Sequence, residues 1–206
     1  MSPTPFMPLS PPQDDAPIRP PHPLALRAIE RLRERLPGRV RVLDVASGSG
    51  RNTAALTQAG FDVVAIDDEA AMRISAMRSL HGVFAGAVST HGFLHGTAAE
   101  IAERLDALAA HLEPDALLAA TFGSTADARF GNGTALDPST FVPDEGDERG
   151  VPHAYFTDSQ LRALLEPQYA IESIEERAVD EIAGKWAHRE IPLSGAVHWF
   201  VIARRR

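Results

Sequence analysis

From Arg39 onward the apolar residues change period, and that change constrains the fold more than any other feature of the chain. The run "RVRVLDVA" is β-branched and largely apolar, "RNTAALTQAG" has helical spacing and stops at Gly60, and "FDVVAID" is again a short apolar run. The sequence continues with "DEAAMRISAMRSL" as helix, "HGVFAGAVS" as strand, "TAAEIAERLDALAAHLEP" as a long amphipathic helix and "DALLAATFG" as strand. Short apolar runs suit strands covered on both faces, and 3.6-residue spacing suits the helices that cover them. Strands alternating with helices build parallel βαβ units with right-handed crossovers. The expectation is a doubly wound α/β domain with a mostly parallel sheet.

The flanks complete this plan. Residues 1–23 hold nine of the sixteen prolines and read as a proline-rich disordered tail, because proline removes backbone donors and favours extended chain. The domain then spans residues 24–206. It opens on "LALRAIERLRERLPG", a helix with Leu24, Ala28 and Leu32 on one stripe, ended by Pro37 and Gly38. Residues 124–156 are glycine-rich and acidic, too long for an idle connection in a compact domain, and are expected to form a lid. Thr157 is placed to cap the helix "TDSQLRALLEP". "YAIESIEER" and "AVHWFVIARR" alternate apolar and polar residues as two closing strands, antiparallel in part.

Composition narrows the class. A chain of 206 residues with 44% apolar and 23% charged residues suits one globular domain, and no apolar run approaches the roughly 20 residues that cross a bilayer. The absence of cysteine excludes thiol catalysis and disulfides and agrees with a reducing cytoplasm. No basic segment followed by an apolar core stands at the N-terminus, so a cytoplasmic location is expected. A net charge of −8 argues against nucleic acid as a partner, and Arg204 to Arg206 read as a solvated basic end.

The turn "DVASGSGRN" lies at the carboxyl end of the first strand, where open parallel sheets bind their ligands. Gly48 and Gly50 allow unusual dihedrals and close ligand approach, and the helix from Arg51 points free N–H groups into the pocket. A dinucleotide fingerprint would continue to a third glycine, but Thr53 stands there; a phosphate loop would need Lys and Ser or Thr after Gly50, but Arg51 and Asn52 follow. What remains is Asp44 on the first strand, the turn, and Asp67 at the tip of the second, where a carboxylate can accept two ribose hydroxyls. That pattern suits an adenosine-type ligand without a pyrophosphate.

In these residues the chain resembles the class I S-adenosylmethionine-dependent methyltransferases of the small-molecule type. The resemblance continues through "STHGFLHGT", "LEPDALLAATFGS", "GVPHAYFTDSQLRALLE" and "HWFVIARR" and covers most of residues 40–204. It implies a Rossmann-like methyltransferase fold with an antiparallel last strand, S-adenosylmethionine as cofactor and a small molecule as methyl acceptor. Asp44, Ala46, Gly48 and Gly50 fall on the family's acidic and glycine-rich element, with Ala46 in place of its first glycine, so this loop is expected to face the methionine portion. Asp67, or Asp68 beside it, takes the ribose role. Ser47, Asn52 and Ser89 complete the expected cofactor contacts.

Only residues 68–82 separate the second strand from "VFAGAVS", room for one helix where the family has helix, strand and helix. The usual third strand is therefore expected to be missing. A helix of about 13 residues spans ~20 Å, enough to cross from the second strand to the far side of the first. The second strand becomes an exposed edge and a route to a homodimer. Adenine contacts from the missing strand are lost, which makes a catalytically silent binding or dimerisation module the rival to an active methyltransferase.

Methyl transfer from a sulfonium is in-line displacement in which positioning supplies much of the rate, and a base is needed only where the acceptor must lose a proton. The candidates for that work are His91 and His95 after the third strand, and His153 and Tyr155 at the end of the lid. Trp186 and His188 are lesser wall candidates; His198 and Trp199 read as core or surface. No metal is expected: His91 and His95 are four apart, but Gly92 and Gly96 oppose a helix there and no HExxH pattern appears. The acidic "DEGDER" reads as a solvated loop, with a cationic or amine acceptor as the functional alternative.

Overall fold

The computed structural model describes residues 20–35, 40–67, 74–146, 148–179 and 195–206. Within them the chain runs α1 (Pro23–Arg35), β1 (Arg41–Val45), α2 (Arg51–Gln58), β2 (Asp62–Ile66), α3 (Ile74–Arg78), β3 (Phe84–Phe93), α4 (Ala98–Ala109) and β4 (Leu112–Ser124). It continues with β5 (Thr134–Asp137), β6 (Thr140–Val142), β7 (His153–Phe156), α5 (Asp158–Leu165), β8 (Tyr169–Ala178) and β9 (Val197–Arg205).

The main sheet has the order β2-β1-β3-β4-β9-β8. β1 pairs parallel with β2 and β3, β3 pairs parallel with β4, and β9 runs antiparallel between β4 and β8. This is the expected doubly wound sheet with an antiparallel last strand. The chain leaves β1 for β2 on one side and returns as β3 on the other, so β1 marks the reversal of strand order where such sheets bind ligands.

Successive residues face opposite layers. Val42, Leu117 and Ala119 join Leu24, Leu32 and Leu56 of α1 and α2, whereas Leu43, Leu118 and Ala120 join Ile101, Leu105 and Leu161 of α4 and α5. Strands buried on both faces have no reason to alternate in hydrophobicity, which is why they read as continuous apolar runs. Thr97 and Thr157 start α4 and α5 with reciprocal capping boxes completed by Glu100 and Gln160.

β2 is the edge strand expected from the short 68–82 connection: its five residues are only half-buried, and among the described residues β1 is its one neighbouring strand. Two differences from the sequence reading have physical causes. β3 extends past Ser89 to Phe93 through a bulge in which three residues separate Ser89 from Phe93 while one separates their partners Ala120 and Phe122. The proline-rich tail does not reach Pro23, since His22 is fully buried and Pro23 begins α1.

Residues 124–156 form a small antiparallel extension. β5 and β6 make a hairpin, β6 pairs with β7, and β7 docks parallel on the last two residues of β4 through Gly123↔Tyr155 and Ser124↔Phe156. A Cβ at Gly123 would lie 2.4 Å from the carbonyl oxygen of Ala154, so glycine is required for that approach.

Candidate cofactor and acceptor site

The turn after β1 keeps the backbone expected of a ligand loop. Ala46, Gly48 and Gly50 all have positive φ, at 58°, 51° and 79°. For Ala46 that conformation costs about 1 kcal/mol relative to glycine, so the backbone geometry survives the loss of the glycine itself. Ser47 donates its N–H to the carbonyl of Ile66 at 2.9 Å, stitching the turn to the end of β2, where exposed Asp67 stands. Gly50 opens α2 with no side-chain cap, and a Cβ there would meet nothing within 4 Å. The first N–H groups of α2 have no side-chain cap at Gly50.

Behind the turn the site is tightly braced. Asp44 is fully buried and accepts a 2.5 Å hydrogen bond from Thr53 Oγ1, which locks β1 to the first turn of α2. A Cβ at Gly92 would lie 2.7 Å from Ser89 Oγ and 2.9 Å from Ala46 Cβ, so the β3 bulge brings its backbone directly against the glycine turn. Ser89 Oγ is buried in this crevice and has no hydrogen-bond partner among the described residues. Asn52 is committed within the protein: its Nδ2 donates to Thr90 Oγ1 at 3.0 Å, and its Oδ1 accepts the His22 N–H at 3.0 Å. It holds the wall of the pocket rather than presenting a free amide. Asp68 lies outside the described residues, as do Trp186 and His188.

The acceptor-side candidates separate into two groups. His91, on the bulge, has its ring 6.2 Å from His22 on one side and 6.2 Å from His198 on the other. Burial, with the Arg51 charge and His198, lowers the His22 pKa to about 3. His198 is likewise lowered to about 4 by burial and by Arg129, against the opposing pull of Asp127 and Glu148. Both rings are neutral near pH 7. His198 thus belongs to the polar crevice, though alternation along its strand gives no sign of it.

His95, His153 and Tyr155 form the second group, where the β5–β7 extension meets the main sheet. His95 and His153 form a backbone bridge and their rings meet edge-to-face with centroids 4.8 Å apart. Glu148 reaches both, with Oε1 3.6 Å from His95 Nε2 and Oε2 3.2 Å from His153 Nε2. The His153 and His95 rings hold its carboxyl well below the usual carboxylate range against the cost of its burial. Arg129 grips Asp127 through two 2.8 Å contacts from Nε and Nη2 and touches Glu148 at 3.5 Å. Burial works against the Asp127 carboxylate, and Arg129 more than reverses it, leaving its carboxyl below the usual range. Tyr155 packs among Phe130, Phe141 and these charges, and burial pushes its hydroxyl up to about 12, so it is neutral.

Arg104 of α4 fixes the connection between the groups. Its guanidinium is almost fully buried and donates to the carbonyl oxygens of Gly92, at 2.9 Å, and His95. Sequence reasoning missed Arg104, His22, Asp127, Arg129 and Glu148. Of these only the Asp-x-Arg spacing at 127–129 carries a local signal, because a side chain two residues away can return to grip the carboxylate.

No protein-family profile matches the chain, and no characterised protein matches it by sequence. Solved structures do. The 1,6-didemethyltoxoflavin-N1-methyltransferase of Burkholderia thailandensis, bound to 1,6-didemethyltoxoflavin and S-adenosylhomocysteine, is 19% identical with a TM-score of 0.59, covering 89% of this chain and 78% of that one. A SAM-dependent methyltransferase of Methanosarcina mazei is 17% identical with a TM-score of 0.58, covering 84% and 96%. Magnesium protoporphyrin IX methyltransferase of Synechocystis with bound SAM is 15% identical with a TM-score of 0.55, covering 88% and 78%. With its strand order, antiparallel last strand and glycine turn after β1, the chain has the fold of the S-adenosylmethionine-dependent methyltransferases.

Proposed function

We propose that this protein transfers a methyl group from S-adenosylmethionine to a small-molecule acceptor. The observation that carries the reading is the turn at residues 46–50. Three left-handed residues and the uncapped start of α2 present backbone N–H groups at the carboxyl end of β1, with Asp67 across from them at the end of β2. Those donors suit the carboxylate of a methionine moiety, and the Asp67 carboxylate suits ribose hydroxyls. The buried hydroxyl of Ser89, unpartnered among the described residues, and the open space at Gly50 fit a ligand that enters the crevice.

When bound, the sulfonium supplies an activated methyl group; the residues of this chain supply position. Asp44 and Thr53 hold the turn, and Asn52 ties it to the strand that carries His91. Neutral His22 and His198 flank His91, an arrangement in which His91 can take a proton from an acceptor without a neighbouring imidazolium to oppose it. The lid at residues 124–156 covers the acceptor, with Phe130, Phe141 and Tyr155 offering apolar and aromatic surface. The catalytically silent alternative draws on the missing third strand alone.

Isothermal titration with S-adenosylhomocysteine tests the reading, followed by incubation with methyl-labelled S-adenosylmethionine and a panel of amines, phenols and carboxylic acids. One-to-one binding and label transfer to a panel member support it. Absence of binding at millimolar ligand overturns it.

A further inference from the structure

The cluster of His95, Glu148 and His153 has no assigned task in methyl transfer, and its internal geometry is that of a cation site. The ligand atoms of the three residues lie within 4.8 Å of one another. His95 comes from the connection after β3, and Glu148 and His153 come from the stretch that leads into β7.

His153 decides what can stand between them. Its Nδ1 lies 2.8 Å from the carbonyl oxygen of Val151. A carbonyl only accepts, so Nδ1 carries the hydrogen and Nε2 is the ring atom left to hold a proton or a metal ion. That Nε2 is buried, makes no aligned hydrogen bond, and faces the Glu148 carboxylate at 3.2 Å. A proton or a metal ion between the two offsets their repulsion, and the absence of an aligned hydrogen bond at Nε2 favours the ion. Orientation of a ligating imidazole by an Nδ1–H to backbone carbonyl bond is the usual outer support of a metal site.

Distances and charge agree. Zinc bonds of about 2.0–2.2 Å to imidazole nitrogen and carboxylate oxygen place neighbouring ligands of a tetrahedron roughly 3.4 Å apart. His95 Nε2 lies 3.6 Å from Oε1 and His153 Nε2 3.2 Å from Oε2 of Glu148, one ring to each carboxylate oxygen. Arg129 divides its charge between Asp127, held through Nε and Nη2, and Glu148, to whose Oε2 its Nη1 donates at 3.5 Å. Two carboxylates against one guanidinium leave a net negative charge beside two imidazoles.

We propose that His95, Glu148 and His153 bind a first-row divalent transition-metal ion of the zinc class at the root of the lid. Three protein ligands leave a fourth position for water or for an oxygen or nitrogen of the acceptor. Imidazole with carboxylate selects zinc and its neighbours over magnesium and calcium. Bound there, the ion joins the lid to the strand end that carries His91 and His95. The inference stands on the cluster alone and does not depend on the methyl-transfer reading.

The test uses the untagged full chain, freed of metal with a chelator, and titrates it with Zn²⁺ by calorimetry and with Co²⁺ by visible absorption. The expected result is one site tighter than ~1 µM, and intense cobalt bands of tetrahedral type. Glu148→Gln and His153→Ala should each weaken Zn²⁺ binding by roughly 100-fold or more, while His81→Ala at an exposed histidine leaves it unchanged. Weak octahedral cobalt absorption, no binding by the wild-type chain, or affinity unaltered in Glu148→Gln overturns the proposal. Because the wild-type cobalt spectrum alone decides coordination, a variant that fails to fold does not rescue it.

Discussion

Asn52 donates from Nδ2 to Thr90 Oγ1 across 3.0 Å, so the first turn of α2 and the bulge of β3 are held by one side chain. The start of α2 and the bulge of β3 therefore cannot move independently. Replacing Asn52 by Leu leaves the buried His22 N–H without its acceptor and Thr90 without its donor. Unsatisfied buried groups cost about 1–3 kcal/mol each. Urea denaturation should show a loss of roughly 2 kcal/mol, with weakened S-adenosylhomocysteine binding in the protein that remains folded; unchanged values for both would remove Asn52 from its bracing role.

Asp67 tests the ribose half of the pocket. A carboxylate accepting hydroxyl hydrogen bonds contributes about 1.5–3 kcal/mol, or a factor of roughly 10 to 100 in affinity. Asp67→Ala should weaken S-adenosylhomocysteine by that factor in calorimetry without a change in thermal stability, because the residue is exposed. A variant that binds as the wild type does would place the ribose elsewhere.

Gly123 tests the docking of the lid. Alanine there drives a methyl group against the Ala154 carbonyl, 2.4 Å away, and its energetic penalty belongs to the backbone of β7. Gly123→Ala should destabilise the fold by about 1–3 kcal/mol, as overpacking does, and raise protease sensitivity within residues 124–156. Equal cleavage of variant and wild type would mean that β7 accommodates the change.

The buried histidines give a pH dependence with a definite sign. In the folded protein His22 and His198 are lowered to about 3 and about 4, whereas in the unfolded chain each binds a proton near 6.5. Below pH 6.5 the unfolded state holds more protons, so stability falls as pH drops from about 6.5 to about 4. Above 6.5 neither group contributes. The slope is ~1.4 kcal/mol per pH unit for each histidine. Denaturation midpoints measured from pH 7 to pH 4 should show it, and His22→Leu should remove about half of the slope; an unaltered slope would assign acid sensitivity to other groups.

The sheet, its order and its shortened edge were legible in the sequence, because continuous apolar runs and helical spacing are local and the count of residues 68–82 is arithmetic. The glycine turn between Asp44 and Asp67 was legible as a turn for the same reason, since it lies between one strand and the end of the next; its part in binding a cofactor is the proposal made above. The polar crevice was not. His22, His198, Arg129 and Glu148 come together from α1's start, β9 and the 124–156 extension, and no periodicity reports a contact between separate segments. Arg104 was hidden by its own type, since an arginine on an amphipathic helix reads as solvent-facing until the carbonyls of Gly92 and His95 are seen beneath it.

The half-buried β2 gives the molecule an asymmetry in how it comes apart. Its backbone groups on one side have no strand to hold them among the described residues, so amide hydrogens of residues 62–66 should exchange with solvent sooner than those of β4, which is flanked on both sides. A ligand spanning the 46–50 turn and Asp67 would sit across that seam between β1 and β2. In such a protein the ligand performs the clamping that an additional strand performs elsewhere, and slowed exchange along β2 becomes a direct gauge of how fully the pocket is filled.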